Sequence, residues 1–238
     1  MNVIIPAILP QSRADLEDKL FKLHGLVHAV QVDVVDGIFA APPSWPYSNA
    51  ETHPPHPMDD SFPYLGEITY DVDLMVAEPE TVIGHWVQAG ATRITVHAES
   101  SSMLPKIIDD FQVKYGHRKD FALDLLSFGL ALNVNSDIAL VEPFLDQCDY
   151  IQFMGIDTIG RQGQPFDKRV LAKISAFRKK YPDMFIQVDG GVTLDTAAEL
   201  LSAGVSRLVV GSALWNAPDV RAELQKFKAV ARSYGMYT

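Results

Sequence analysis

Three aspartates stand toward the ends of β-branched, apolar runs, an unusual place for a charge. Asp33 belongs to residues 27–35, Asp73 belongs to residues 68–75, and Asp189 follows residues 184–188. A carboxylate inside an apolar run is costly unless it is paired, hydrated or bound to a metal. A single Asp of this kind could cap a helix or accept from loop amides, but three indicate a polar site. Such a site can transfer protons or hold a divalent cation.

Glycine turns follow the last two of these runs. Gly190 and Gly191 come directly after Asp189, and Gly211 with Ser212 follows residues 206–210. Glycine lets backbone amides approach an anion closely, and the start of a following helix favours negative charge. One glycine pair is weak evidence, but two consecutive turns of this kind predict a phosphate against the backbone of these four residues.

Short β-branched runs alternate with amphipathic segments along the whole chain. The runs cover residues 3–8, 27–35, 68–75, 92–96, 128–132, 149–154, 184–188 and 206–210. Helices are predicted over residues 13–23 after a Ser12 cap, over 80–89 before Gly90, and over 193–203 before Gly204. Eight strand–helix repeats in 238 residues predict one α/β domain over residues 1–238, a (β/α)₈ TIM barrel.

Alternation along the strands predicts which side chains point into the barrel. Gln31 shares a face with Asp33, Met75 shares one with Asp73, and Asp189 lies at a strand end. The C-terminal ends of barrel strands hold the active site in such folds. The three acids are therefore predicted to converge there.

A proline-rich gap between residues 37 and 67 interrupts the pattern. Prolines crowd residues 42–57 and remove the amide donors that a helix needs. The second crossover helix is therefore predicted to be replaced or shortened by a loop at the active-site end. His53 and His56 in this loop could be metal ligands or part of a lid, but solvated loop residues are the favoured interpretation.

Composition narrows the class of protein. The net charge of −10 and pI near 5.0 argue against a nucleic-acid partner. No segment has the apolar length of a membrane span or a signal peptide, which predicts a cytoplasmic protein with no membrane partner. Cys148 is the only cysteine, and the acids beside it indicate a packed thiol rather than a nucleophile.

Together with these features, several motifs along the chain resemble those of the ribulose-phosphate 3-epimerase family. The family's His-x-Asp-x-Met-Asp-Gly aligns with residues 31–37, its Asp-x-His-Leu-Met with 71–75, and its Gly-Val-Ala-Leu-Asn with 129–133. Its Gly-Phe-Gly-Gly-Gln-x-Phe loop resembles residues 160–166 after one insertion, and Val-Asp-Gly-Gly and Gly-Ser-Ala are present unchanged. The resemblance runs from Pro6 to about Asn216, in the family's order.

The resemblance implies a function and a set of site residues. It implies epimerisation of ribulose 5-phosphate and xylulose 5-phosphate, or a close analogue, with Asp33 and Asp189 moving the proton through an enediolate. In the family, two histidines and the same two aspartates hold a divalent metal. It further implies that the sugar phosphate contacts Met75, Met154, Gly160, Arg161 and Gly163, and that the chain forms a homo-oligomer.

Several residues depart from the family pattern. Gln31 and Asp73 replace the two histidines, Ala7 replaces a serine, and Val35 replaces a methionine. Three carboxylates with Gln31 as a weaker oxygen ligand favour Mg²⁺ or Mn²⁺ over zinc. His53 and His56 could instead supply the missing ligands, or the site could work without a metal.

Two other functions remain open from the residues alone. Related barrels that decarboxylate or condense sugar phosphates carry Asp-x-Lys-x-x-Asp, but residues 71–73 hold no lysine and no lysine ends a predicted strand. A catalytically impaired barrel could bind a sugar phosphate as a sensor or partner. Loss of both histidines favours that interpretation, whereas retention of Asp33 and Asp189 argues against it.

Overall fold

The computed structural model describes residues 3–48, 61–115 and 126–236, and in them eight parallel strands close into a barrel in chain order. The strands are β1 (Ile4–Ile8), β2 (Ala29–Val35), β3 (Thr69–Met75), β4 (Ala91–His97), β5 (Ser127–Leu132), β6 (Tyr150–Met154), β7 (Phe185–Asp189) and β8 (Arg207–Val210). Closure comes from β1 pairing with β8, where Ile5 lies opposite Val209. The predicted TIM barrel is confirmed.

Helices cover the outside of the barrel. They are α1 (Arg13–Leu23), α2 (Ile83–Ala89), α3 (Leu104–Tyr115), α4 (Arg169–Lys180), α5 (Leu194–Ser202), α6 (Ser212–Trp215) and α7 (Val220–Ser233). Short 3₁₀ segments at Pro79–Thr81, Ile138–Leu140 and Glu142–Gln147 complete the crossovers. None of the described helices is both long and apolar enough to cross a membrane.

Local capping explains where the predicted helices begin. The hydroxyl of Ser12 accepts from the amide of Asp15 at 3.1 Å, and α1 has the predicted bounds. The hydroxyl of Thr193 accepts from the amide of Thr196 at 3.2 Å and starts α5. The helix predicted over residues 80–89 is divided into a 3₁₀ turn and α2.

The second crossover contains no helix within residues 36–48 and 61–68, in keeping with the predicted loop. Aromatic side chains pack here instead: Phe62 stacks on Tyr70 with ring centroids 4.2 Å apart, and Trp45 meets Trp86 edge-on at 5.9 Å. Large buried rings supply apolar contact area comparable to that of a helix face. His53 and His56 lie outside the described residues.

The lower part of the barrel interior, away from the strands' C-terminal ends, is polar. Asp71 lies 2.7 Å from the Arg207 Nη1 atom and 3.3 Å from the Arg93 Nε atom. The Arg93 guanidinium lies 4.0 Å from the centre of the Tyr150 ring. A Cβ at Gly129 would lie 2.2 Å from that ring, so only glycine leaves room for it. These side chains fill the lower barrel and form the floor on which the site is built.

Side-chain hydrogen bonds order the loops at the C-terminal end of the barrel. The Asp36 carboxylate accepts from the amides of Ile38 and Ala77 at 2.7 Å, which links the loops after β2 and β3. The indole N–H of Trp215, after β8, donates to the carbonyl oxygen of Ala7 in β1 at 2.6 Å. These bonds tie the segment after β8 to β1 and the loop after β2 to the loop after β3.

Candidate active site

A pocket of about 500 Å³ opens at the C-terminal ends of the strands. Its lining includes most of the site residues predicted from the sequence: Asp33, Met75, Met154, Gly160, Arg161, Gly163, Asp189, Gly190, Gly191, Gly211 and Ser212. No lysine is among the described lining residues, which disfavours a Schiff-base mechanism.

The three predicted acids converge at the bottom of this pocket. Asp33 and Asp73 are register partners on neighbouring strands, and Asp189 ends β7. Oxygens of all three carboxylates lie within 4.8 Å of one another. Asp33 and Asp189 are 5% and 8% exposed and line the pocket, whereas Asp73 is fully buried. Asp33 and Asp189 can therefore contact a ligand in the pocket, whereas Asp73 lies behind them and does not line it.

Burial and repulsion between neighbouring carboxylates raise the pKa of both acids that line the pocket. Burial, followed by the charges of Asp189 and Asp73, raises the pKa of Asp33 well above its usual range. Burial and the Asp73 charge raise the pKa of Asp189 to about 7, although hydrogen bonds from Gln31 and the Gly190 backbone oppose this. Like charges this close disfavour full ionisation, so the pair retains a proton near neutral pH.

His97 joins the site from the end of β4 and was missed by the sequence reasoning. Its Nε2 atom lies 3.2 Å from the Asp73 Oδ1 atom, and the residue is fully buried beside the Phe39 ring. Burial lowers the His97 pKa, but the Asp73, Glu99 and Asp189 carboxylates outweigh it and the net shift is upward. The predicted strand stopped at residue 96. Continuing the alternation through Thr95 would have placed His97 on the inner face.

Gln31 faces the acids differently from the oxygen ligand expected from the sequence. Its Nε2 atom donates to Asp33 at 2.9 Å and to Asp189 at 2.7 Å. Its Oε1 atom accepts from Gln187 at 3.0 Å and therefore points away from the acids. An amide nitrogen does not ligate a metal, so the predicted ligation by the Gln31 oxygen would require this amide to turn.

The three carboxylates fit a divalent cation. All three oxygens converge, and Asp73 Oδ1 is buried with no hydrogen-bond partner among the described residues. A cation would satisfy that atom and remove the repulsion within the cluster. Oxygen ligands of this kind are those that hard divalent cations prefer. The buried three-Asp group is therefore consistent with a divalent metal.

The predicted glycine turn after β7 adopts a backbone that only glycine favours. Gly190 and Gly191 have φ of +97° and +67°. A Cβ would lie 2.7 Å from the Ile156 side chain at the first position and 2.7 Å from the Phe166 backbone at the second. These glycines place main chain directly along the pocket wall, with no side chain to hold a ligand away.

The loop after β6 forms the opposite wall and contributes a second missed residue. The Gln162 amide nitrogen lies 3.4 Å from the Ala7 carbonyl oxygen, and this side chain lowers the pKa of Asp33 against the larger effect of burial. A Cβ on Gly211 would lie 2.7 Å from the same nitrogen. Arg161 is exposed, and its Nε atom donates to the carbonyl oxygen of Ala41 in the loop after β2. Gln162 thus lies in the pocket lining between Gly211 and the Ala7 carbonyl oxygen.

Apolar side chains complete the wall beside the acids. Met75 and Met154, both predicted to contact the sugar, are buried and pack with Val35 and Ile156 inside the barrel mouth. Val35 stands where the resemblance has a methionine, and it keeps this wall apolar. A substrate would therefore lie between an apolar wall and the carboxylates, out of bulk water.

Comparison with known proteins gives a consistent result across the chain. A model of the ribulose-phosphate 3 epimerase family matches residues 3–215. The chloroplastic ribulose-5-phosphate-3-epimerase of Arabidopsis thaliana is 30% identical over 97% of this chain and 77% of its own length. The ribulose-phosphate 3-epimerase of Bacillus subtilis is 28% identical over 96% of this chain and 99% of its own.

Solved structures share the fold at lower identity. KGPDC from Streptococcus mutans has a TM-score of 0.69 at 11% identity, covering 98% of this chain and 99% of that one. The 3-hexulose-6-phosphate synthase from Salmonella typhimurium has a TM-score of 0.61 at 16% identity, again covering 98% of this chain and 99% of that one. Identity this low supports a shared barrel and nothing about a shared reaction.

Proposed function

Since the chain belongs to the ribulose-phosphate 3-epimerase family and is an isomerase of that kind, we propose that it epimerises a phosphorylated ketose by proton transfer between Asp33 and Asp189. The substrate is ribulose 5-phosphate, xylulose 5-phosphate or a close analogue. The observation that carries this proposal is the pair of carboxylates, on β2 and β7, that line one pocket and both have a raised pKa. Burial and the charges of Asp189 and Asp73 raise the pKa of Asp33, and burial and the Asp73 charge raise that of Asp189. The proposed reaction requires one of the two carboxylates to be ionised and the other to be protonated.

In one direction Asp33 removes the proton from the carbon beside the ketone. Burial and the charges of Asp189 and Asp73 raise the pKa of Asp33, and the hydrogen bond that Gln31 donates opposes this rise. The electrons of the broken C–H bond become the enediolate. Asp189 then delivers its own proton to the opposite face of the same carbon, and the configuration is inverted. In the reverse direction the two residues exchange roles.

A divalent cation held by Asp33, Asp73 and Asp189 would supply positive charge that stabilises the enediolate. Three carboxylates without imidazole favour Mg²⁺ or Mn²⁺ over zinc. Gln152 donates to the Asp73 Oδ2 atom at 2.8 Å, and His97 lies 3.2 Å from the Oδ1 atom, so neighbours on two strands hold this carboxylate in place. We expect a chelator to abolish turnover, and we expect added Mn²⁺ but not Zn²⁺ to restore it. Preferential restoration by Zn²⁺ would show that imidazole takes part in ligation.

The phosphate lies against the backbone of Gly190, Gly191, Gly211 and Ser212, with Arg161 or Gly163 closing the other side. Both glycine turns line the pocket that also contains the carboxylates. Inorganic phosphate should therefore compete with the sugar phosphate. A liganded structure with the phosphate at another end of the barrel would contradict this placement.

Deuterium uptake from D₂O into a panel of ketose phosphates tests the proposed reaction. We expect exchange at the carbon beside the ketone for a pentulose phosphate, with inversion at that carbon. Binding without any exchange would instead support the impaired barrel with a sensor or partner role. Gel filtration and cell fractionation would test the homo-oligomer and the cytoplasmic location that we propose alongside.

A further inference from the structure

Three buried glutamines form a chain of hydrogen bonds directly beneath the carboxylates. Gln187 Nε2 donates to Gln31 Oε1 at 3.0 Å and to Gln152 Oε1 at 2.6 Å. Gln31 then donates to Asp33 and Asp189, while Gln152 donates to Asp73 at 2.8 Å. All three glutamines are fully buried, so water does not compete for these bonds.

The direction of this chain is set from below by an arginine. Arg207 Nη1 donates to Asp71 at 2.7 Å and lies 3.4 Å from Gln187 Oε1. A guanidinium can only donate, so the carbonyl oxygen of Gln187 must face Arg207. Its NH₂ group must then face the other two glutamines, whose oxygens accept. Their own NH₂ groups are left facing the three carboxylates.

We propose that Gln187 is a positioning residue: Arg207 orients its amide, and Gln187 thereby orients Gln31 and Gln152 so that the floor of the site presents N–H donors to the three aspartates. The proposal rests on the proposed use of those aspartates, but it concerns their support and not their chemistry. A buried network of this kind has one satisfied arrangement, and reversing any amide breaks bonds at both of its ends.

The orientation also decides what a cation would meet. With the present arrangement a cation is offered carboxylate oxygens only, because the Gln31 oxygen is occupied by Gln187. If the amides were turned, the Gln31 oxygen would be added to the ligand set. Partners that orient ligands typically change metal affinity by about 10–100-fold. Gln187 therefore controls cation affinity without touching the cation.

The substitution Gln187→Glu reverses the network by design. A carboxylate only accepts, so Glu at this position keeps its bond from Arg207 and must take N–H groups from Gln31 and Gln152. Both amides then turn, and their oxygens face the aspartates. Gln187→Met fills similar space with neither donor nor acceptor and leaves the two amides free to turn.

The test is the Mn²⁺ affinity, measured by calorimetry, of Gln31→Met in three backgrounds. In the wild type Gln31→Met removes the N–H bonds to Asp33 and Asp189 but no potential ligand oxygen, because the Gln31 oxygen does not face the ion. In the Gln187→Glu or Gln187→Met background the same change also removes an oxygen that faces the ion, so we expect it to weaken Mn²⁺ binding about tenfold more than in the wild type. The added charge of Gln187→Glu does not affect this comparison, because that substitution is present both with and without Gln31→Met and its own effect on Mn²⁺ affinity cancels.

A purely structural role for Gln187 would make Gln31→Met equally costly in all three backgrounds, and that result overturns the proposal. Absence of Mn²⁺ binding by both folded Gln187 variants overturns it as well. This test is independent of the proposed reaction. If the effect of Gln31→Met on Mn²⁺ affinity depends on residue 187 but the substrate takes up no deuterium, the positioning role stands and epimerisation is ruled out. If the substrate takes up deuterium but the effect is the same in all backgrounds, epimerisation stands and the positioning role is ruled out.

Discussion

The imidazole Nε2 atom of His97 lies 3.2 Å from the Oδ1 atom of Asp73, and both residues are fully buried. Neither atom has a hydrogen-bond partner among the described residues, so the contact is one of charge rather than hydrogen-bond geometry. The resemblance places a histidine at position 73, on β3. In this chain the imidazole comes from the neighbouring β4, one strand further around the barrel.

His97 should stabilise the fold in a pH-dependent way. Its folded-state pKa is raised above the ordinary 6.5, so the stabilisation is complete below pH 6.5 and is lost as pH rises through the folded value. The difference in free energy of unfolding between wild type and His97→Leu should therefore be largest near pH 6 and shrink toward pH 9. Urea denaturation in the presence of chelator measures it. In an Asp73→Asn background this pH dependence should shrink, because only the smaller contributions of Glu99 and Asp189 remain.

Replacing either catalytic acid by its amide should abolish turnover while sparing binding. Asp33→Asn and Asp189→Asn keep the side-chain shape but cannot carry the proton, so kcat should fall by at least ~10²-fold. Binding of the sugar phosphate should change far less, because the proposed phosphate site is at the glycine turns. Asp18→Asn, an exposed acid on α1, is the control. Near wild-type epimerisation by both variants would falsify the proposed mechanism.

The two amide variants should also differ in isotope exchange. Each retains one carboxylate, which can still wash label out of the substrate from the face that it serves. Neither can complete the inversion, because the second proton carrier is missing. Isotope loss measured by mass spectrometry, with product formation measured in parallel, separates the two steps. Loss of exchange in one variant only would indicate that the remaining acid cannot act as the base.

The raised pKa of Asp189 should lower stability as the pH rises toward neutrality. An unfolded Asp ionises near 3.8, whereas the folded group ionises at about 7. Between these values the folded state holds a proton that the unfolded state has released, so stability falls with rising pH. Chelator-treated wild type should lose stability over this window relative to Asp189→Asn. Parallel curves for the two proteins from pH 4 to 8 would show that the burial cost is relieved elsewhere.

Alanine in the β7 turn should damage both the fold and the phosphate site. Gly191→Ala meets a positive φ and a contact 2.7 Å from the Phe166 backbone, and strain of this kind costs about 1–3 kcal/mol. Gly25→Ala is a matched control, with φ of +73° and nothing within 4 Å of the added Cβ. We expect a larger fall in Tm for Gly191→Ala, and loss of inorganic phosphate binding in that variant alone. Equal effects would mean that the turn does not need the close approach.

Local pattern was enough to find the elements and the faces of the site. The Ser12 cap and the apolar spacing after it gave α1 its bounds, and strand alternation placed Gln31 with Asp33 inside the barrel. These features depend on residues close together in the chain. The glycine turn at Gly190 is equally local, since glycine is the residue type that favours the positive φ found there.

The polar network was not accessible in this way. Gln187 and Gln31 are 156 residues apart, and their contact depends on barrel closure and strand register. The direction of the Gln31 amide depends in turn on Arg207, a third strand's residue. His97 was missed for a simpler reason, since the predicted strand ended one residue early. Long-range register and amide orientation are properties of the assembled barrel, and residue type alone does not determine them.

The pairing of β1 with β8 has a consequence for biosynthesis. A ribosome releases β1 long before β8 has been made, and domains whose contacts are distant in sequence fold slowly. Until β8 emerges, the nascent chain has neither its final seam nor the anchor between Trp215 and Ala7. The carboxylates meant for the interior stay hydrated and the apolar strands stay open during that interval. Ribosome-stalled chains ending before β8 should therefore bind chaperones and fail to retain a phosphorylated ligand, and chains extended beyond α7 should do the opposite.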